Sequence, residues 1–290
     1  MSRKVALVVN PTAGKGLGAR AAPVVRGRLE AAGLTVDEYS TTCAEDVGRI
    51  SADVIASGAD AVALIGGDGT IHLGAQVLAR SGMPFGVIPA GTGNDFARGI
   101  GVPLKDPAAA ADLIVAGNTR AVDLAVAKDE YITTVVAGGF DSLVNKRANA
   151  MTWPKGNSRY TVATLAELRT FTPLEYVVTV DDQVIETRAM LVAVGTGPTY
   201  GGGLQICAGA EIDDGLLDVT IISPLSRLTL LQLFPKLAKG THVGDPRLLT
   251  LRGKSVRIES PGITAYADGE PLGPLPVDIT IAPGALTVFA

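Results

Sequence analysis

The stretch Ala61 to Leu78, AVALIGGDGTIHLGAQVL, constrains this chain more than any other. Its apolar run ends at Gly66-Gly67-Asp68-Gly69-Thr70 and gives way to helical periodicity, which reads as a buried strand, a glycine turn and a helix N-terminus. Closely spaced glycines let backbone N–H groups approach a ligand. A helix starting near Thr70 directs its unpaired N–H groups and positive dipole end at the same turn. Such a turn suits phosphate. Asp68 is the odd residue, because a carboxylate where an anion should sit implies either a magnesium ion between the two or a loop-ordering role. Taken alone, the turn reads equally well as an ordinary strand-to-helix connection.

The same grammar recurs through the first part of the chain. Val5 to Val9 is a continuous apolar run ending in Asn10-Pro11-Thr12-Ala13-Gly14-Lys15-Gly16, and Phe85 to Ile88 runs into Pro89-Ala90-Gly91-Thr92-Gly93-Asn94-Asp95-Phe96. Between them, Ala19 to Ala32 and Asp46 to Ala56 read as helices and Thr35 to Tyr39 as a strand. Strand-helix alternation to about residue 117 predicts a parallel α/β sheet whose loops share one crevice. The first loop is not a Walker A loop, since Val9 stands where a glycine is needed and Gly16 where a Ser or Thr is needed. No loop fits G-x-G-x-x-G, because His72 and Phe96 occupy the third glycine positions. The hydroxyls of Ser40, Thr41 and Thr42 face a nucleotide or cap the following helix, with capping the commoner use.

Near Val122-Asp123-Leu124 the pattern changes to short alternating segments separated by turns, which places a domain boundary between residues 122 and 123. Tyr131 to Val136, Tyr176 to Val180, Met190 to Val194, Leu217 to Ile222, Leu248 to Leu251, Ser255 to Glu259, Ile263 to Ala267 and Val277 to Ile281 read as strands of a β-sandwich. Two helical insertions interrupt them, Tyr160 to Phe171 and Leu225 to Lys239. In the second, Leu230, Leu233, Phe234 and Leu237 form one apolar face, as in a helix packed on the sandwich or, less commonly, one touching a membrane. The fold class expected is therefore α/β in two domains: an N-terminal Rossmann-like parallel α/β unit, then a β-sandwich-like unit.

A net charge of −4 argues against a general nucleic-acid binder. Cys43 and Cys207 stand far apart without a CxxC, which suits a reducing cytosol, and no apolar run approaches the roughly 20 residues that span a bilayer. Any membrane contact is then peripheral, at the inner face. His72 faces the nucleotide or the solvent, and His242 is expected at the surface.

Asn10-Pro11 with Gly14-Lys15, the GGDGT of Gly66 to Thr70, the PAGTGNDFA of Pro89 to Ala97 and the DGE of Asp268 to Glu270 together resemble the diacylglycerol kinase catalytic family, which includes bacterial lipid kinases and sphingosine kinases. The resemblance covers nearly the whole chain and takes in Ala137 to Asp141, Tyr200 to Gly203 and Asp213 to Asp218. It implies an ATP-dependent kinase that phosphorylates a lipid alcohol, diacylglycerol first among the candidates, at a membrane surface, with no transmembrane segment; a homodimer is compatible with it. The implied nucleotide site comprises Asn10, Pro11, Thr12, Ala13, Gly14, Thr41, Gly66, Gly67, Asp68, Gly69, Thr70, Ile71, His72, Leu73, Thr92, Asn94 and Asp95. Asp68, Asp95 and Asp123 form the implied acidic group near Mg2+, and Asp268 or Glu270 the base. A separate magnesium site falls on the Asp214 carboxylate and the carbonyls of Glu211 and Leu216. Where relatives often carry Glu, this chain has Leu73.

The implied reaction, attack of a primary hydroxyl on the γ-phosphorus of ATP, asks the protein for positioning and charge neutralisation. By itself Asp268-Gly269 reads as a hairpin turn. An NAD kinase is the enzymatic rival, since such enzymes also use GGDGT, but the Asn10-Pro11 loop, Asp213-Asp214-Gly215 and DGE favour the lipid kinase. A catalytically silent nucleotide or lipid sensor could lack the carboxylates, and Asp68, Asp123, Asp268 and Glu270 are all present.

Overall fold

The computed structural model describes residues 3–153, 162–163, 166–167 and 172–290. The helix expected over 160–171 thus lies largely outside the described residues.

Strands β1 (Lys4–Val9), β2 (Thr35–Ser40), β3 (Ala61–Gly66) and β4 (Phe85–Pro89) pair in parallel in the order β2-β1-β3-β4. Helices α1 (Ala13–Ala31), α2 (Glu45–Ala56), α3 (Asp68–Leu78), α4 (Asp95–Gly99) and α5 (Pro107–Ala116) connect and flank them, α1 packing with α5 and α2 with α3. This covering is why β1 and β3 are apolar almost throughout, and Leu7, Leu64 and Ile65 are fully buried. Each such side chain contributes about 1.5–3 kcal/mol by leaving water. α3 begins at Asp68, two residues earlier than the sequence suggests.

The chain continues through β5 (Thr119–Ala127), β6 (Glu130–Ile132), β7 (Val135–Gly139), α6 (Phe140–Ala150), β8 (Leu174–Val180), β9 (Gln183–Ala189), β10 (Leu191–Gly195), β11 (Leu217–Ile222), α7 (Arg227–Lys239), β12 (Leu248–Gly253), β13 (Ser255–Glu259), β14 (Thr264–Ala267), β15 (Glu270–Pro274) and β16 (Val277–Phe289). These build two antiparallel layers. One is a six-stranded sheet in the order β12-β11-β10-β7-β14-β15. The other, β16-β13-β8-β9 with β5 and β6, is continuous with the N-terminal sheet, because β16 pairs with β13 and β5 and then meets β4 at Val288 and Phe85. The layers enclose an aliphatic core that includes Val178, Val192, Val219 and Ile258. A third cluster seals α6 and α7 to the other face of the six-stranded sheet, burying Leu230, Leu233 and Leu237. α7 is thus a packed helix, and Pro235 sits on its exposed side.

Several local expectations are corrected. The strand expected over 131–136 is two strands, because Thr133 and Thr134 give their N–H and O–H groups to Asp268 instead of a ladder, and β6 and β7 join different sheets. β5, β9 and β15 went unpredicted, and β15, EPLGP, tolerates its prolines because it is an edge strand. β16 runs past Ile281 to Phe289, with an irregularity in register between Ala282 and Leu286. Residues 122 and 123 fall inside β5. α2 carries no hydroxyl cap: its N-cap is Ala44, while Thr42 donates its N–H and O–H to Asp46, each at 2.8 Å. His242 is 1% exposed, not a surface residue: in the turn that follows Gly240, at φ +68° after α7, its side chain is buried while its neighbours Thr241 and Val243 are exposed.

Candidate active site

Three loops leave the carboxyl ends of β1, β3 and β4 and pack against one another. A Cβ on Gly91 would lie 2.5 Å from the Gly67 Cα, and one on Gly14, whose φ of 55° makes the start of α1 a non-helical turn, would lie 2.1 Å from the Ala90 carbonyl oxygen, so glycine is what lets the three loops meet. Asn10 joins two of them, its Nδ2 donating to Thr70 Oγ1 at 3.0 Å while its Oδ1 accepts from Thr12 N–H and O–H. Asn94, left-handed at φ 52°, closes the third loop on itself through Gly91 N–H and C=O. Thr41 is buried and its hydroxyl donates to Val9 O, which ties the end of β2 to the first loop. Ile71 is buried in the N-terminal core and Leu73 packs against it, so neither presents a polar group to a ligand.

Asp68 opens α3 and accepts Asp95 N–H at 2.6 Å and Asn94 N–H at 2.7 Å. Asp95 in turn accepts Gly202 and Gly203 N–H, each at 2.7 Å, reaching from the N-terminal half to the glycine loop after β10. Burial pushes the Asp68 carboxyl pKa up, and the charges of Asp95 and Asp268 push it further, against the lowering effect of the two amide bonds. Both carboxylates face Gly93, where an added Cβ would stand 2.6 Å from Asp68 Oδ2 and 3.2 Å from Asp95 Oδ2. Arg98 borders the group, its guanidinium donating to Gly93 O at 3.2 Å.

Asp268 and Gly269 form the two-residue turn between β14 and β15, with φ of 50° and 90°, so the hairpin reading holds. The turn also carries a buried anion. The Asp268 side chain is 1% exposed and accepts Thr134 N–H and O–H on Oδ1, and Thr133 N–H and O–H with His72 Nδ1–H on Oδ2. Burial raises its pKa, but the His72 hydrogen bond and charge, helped by the threonines, outweigh this and hold it below the ordinary carboxylate value. Glu270 is exposed and its carboxylate makes no hydrogen bond or ion pair among the described residues. Asp123 is buried in β5 and accepts Gly215 and Gly284 N–H, each at 2.7 Å.

Beside the carboxylates a cavity of about 700 Å3 opens between the loops and the C-terminal half. One wall is polar, with Asp68, Thr92, Gly93, Asp95, Asp268 and Gly269. The rest is largely apolar, with Val135, Phe140, Val144, Met190, Leu191, Ile222, Leu230, Phe234 and Leu237 among its lining. Sequence reasoning missed Thr133, Thr134 and Arg98. A pair of hydroxyl residues interrupting an apolar run was the available signal for the two threonines.

Residues 4–127 match the diacylglycerol kinase catalytic domain and residues 134–290 the YegS C-terminal NAD kinase beta sandwich-like domain. A diacylglycerol kinase of Mycobacterium tuberculosis is 45% identical over 292 residues, covering 99% of this chain and 94% of its own length. The chain belongs to the diacylglycerol kinase catalytic family. A Stenotrophomonas maltophilia protein named "Probable lipid kinase YegS-like" is 32% identical over 82% of this chain and 81% of its own length. The crystal structure of a diacylglycerol kinase from Bacillus anthracis superposes with a TM-score of 0.77 at 26% identity, covering 99% of this chain and 96% of its own. This lipid-kinase family accounts for the order of the motifs along the chain.

In this family member the second acidic cluster is differently provided for. Asp214 accepts Leu216 N–H at 3.0 Å on Oδ1, and its Oδ2 pairs with Arg252, whose Nε also reaches Asp218 Oδ1 at 3.2 Å. Burial and the neighbouring Glu211 charge push Asp218 up to about 6. Among the described residues no three His, Cys, Asp or Glu side chains converge to hold a metal by themselves. No helix there is long and apolar enough to cross a membrane.

Proposed function

We propose that this lipid kinase transfers the γ-phosphate of ATP to the primary hydroxyl of diacylglycerol, giving phosphatidic acid. The observation that carries the reading is the cavity itself: glycine-containing loops and carboxylates line one wall of a space whose remaining lining is largely apolar, which suits acyl chains. A soluble dinucleotide acceptor would leave that apolar lining facing polar atoms.

The loops after β1, β3 and β4, with the N-terminus of α3, would bind the phosphates through backbone N–H groups. The donor set at Gly93 fits Mg2+: Asp68 and Asp95 keep free lone pairs beyond their amide bonds, and their mutual repulsion favours a cation between them. Two carboxylates completed by substrate phosphates is the usual way that ion is held, and it would neutralise charge on the β- and γ-phosphates. Of the two candidate bases, Glu270 fits better. Asp268 has its lone pairs engaged by five donors and a depressed pKa, whereas Glu270, two residues on in the same hairpin, has carboxylate oxygens without a partner among the described residues. Asp268 then acts as the buried post that sets the hairpin.

The test is phosphate transfer from labelled ATP with magnesium to diacylglycerol in mixed micelles, beside a sphingoid base, NAD and a no-acceptor control. Label in phosphatidic acid is the expected result. Label in the sphingoid base or in NADP instead would replace diacylglycerol as acceptor, and no transfer to any of the three would refute diacylglycerol phosphorylation.

A further inference from the structure

By position His72 belongs to the nucleotide loop, yet its ring turns to the hairpin. It lies four residues after Asp68 on α3, so both project from one helix face. Nδ1 is 2.8 Å from Asp268 Oδ2, and because that carboxylate is ionised and can only accept, Nδ1 carries the proton. The other ring nitrogen meets Gln76 Nε2 at 3.5 Å, and that amide is fixed by two bonds to the Tyr131 backbone, at 2.7 and 2.9 Å. The charged groups facing the ring are Asp268, Glu130 and Glu270, and the Asp268 hydrogen bond, opposed by burial, raises the His72 pKa.

The hairpin needs a tether. β15 is the edge strand of its sheet and largely exposed, so packing does little to fix the direction of Glu270. Four of the five donors to Asp268 come from Thr133 and Thr134, and the fifth, His72, comes from the helix that begins at the phosphate loop. We propose that His72 is a positioning residue for phosphoryl transfer, which holds the Asp268–Gly269–Glu270 hairpin in register with the Asp68 loop and so aims Glu270. The inference rests on the reading of Glu270 as the base.

The test compares wild type with His72→Ala and His72→Asn, the latter keeping a donor near the Nδ1 position. Misplacing a reacting group by about 1 Å can lower a rate by about 100-fold. His72→Ala is expected to lose at least about tenfold in kcat with KM for ATP within about twofold, and His72→Asn to regain most of it. Hydrogen exchange gives an arm independent of turnover: the Thr133 and Thr134 amides should exchange at least about tenfold faster in His72→Ala, while those of β1 and β3 stay unchanged. If His72→Ala does not fold, His72→Gln, with its amide one bond farther out, replaces it. Unchanged kcat, a change confined to KM for ATP, or unchanged exchange at both threonines would overturn the proposal. A wild type that phosphorylates no acceptor defeats the functional reading instead, and the exchange arm still decides whether His72 holds the hairpin.

Discussion

Asp68 and Asp95 at the cleft and Asp214 and Asp218 before and within β11 are both aspartate pairs, yet their charge is met in different ways. At the cleft each carboxylate is held by two backbone N–H groups, and among the described residues no side-chain cation lies within a normal hydrogen bond of either; Arg98 Nε approaches Asp95 Oδ1 only to 3.9 Å. Around β11 the chain supplies its own cation, with Arg252 bridging both aspartates. Amide bonds orient a carboxylate without neutralising it, so the cleft keeps a demand for positive charge that a metal–nucleotide complex can meet. An arginine answers that demand permanently, which suits structure better than turnover.

The largest effect should follow Asp68→Asn. It removes the charge and leaves Asn94 or Asp95 N–H facing an NH2 group, so turnover should fall by at least about 100-fold in single-turnover assays. Near-normal activity would remove Asp68 from the site. Asp95→Ala comes next. It frees the Gly202 and Gly203 amides that join the two halves, and by the worth of charge-assisted bonds should lower stability by about 2–4 kcal/mol in denaturant titration. A smaller loss would show that other contacts hold that loop.

Arg252→Met sharpens the contrast. Arg252 is 44% exposed, so solvent screening limits the direct loss to about 1 kcal/mol or less. Magnesium should then raise the Tm of the variant while its effect in wild type is confined to samples containing nucleotide. An equal magnesium response in both would mean that Asp214 binds the ion without displacing Arg252.

The smallest effect is that of pH on the His72–Asp268 pair. The raised His72 pKa makes its contribution complete below the unfolded value of about 6.5, and it is lost as pH rises through the folded value. The lowered Asp268 pKa makes the same interaction complete above about 3.9, and it is lost as pH falls through the folded value. The Tm difference between wild type and His72→Ala should therefore be widest near pH 5–6 and narrow towards pH 9. A constant difference would mean that the pair contributes no charge-dependent stability.

Most of the N-terminal layout was legible, because central parallel strands must be apolar throughout and their loops must begin with small residues. GGDGT and PAGTGND announced themselves by glycine placement, and contact between Gly67 and Gly91 explains that placement. The strands β9 and β15 were hidden, since an exposed edge strand carries little apolar pattern. His242 was misjudged because burial of one polar side chain depends on how a turn folds back, which local pattern does not encode. The aspartates were visible as chemistry but not as geometry: nothing near Asp123 says that its partners are Gly215 and Gly284.

By itself the sequence determined the α/β-then-β order, the glycine loops after the parallel strands and the supply of carboxylates, because each depends on residues close in the chain. Tertiary structure alone decided which carboxylates line the cavity, that Asp268 is a saturated buried post while Glu270 has no partner among the described residues, and that Arg252 meets the second acidic pair. Those outcomes depend on backbone N–H groups and side chains brought together from distant segments, and a carboxylate's role is fixed by which donors reach it.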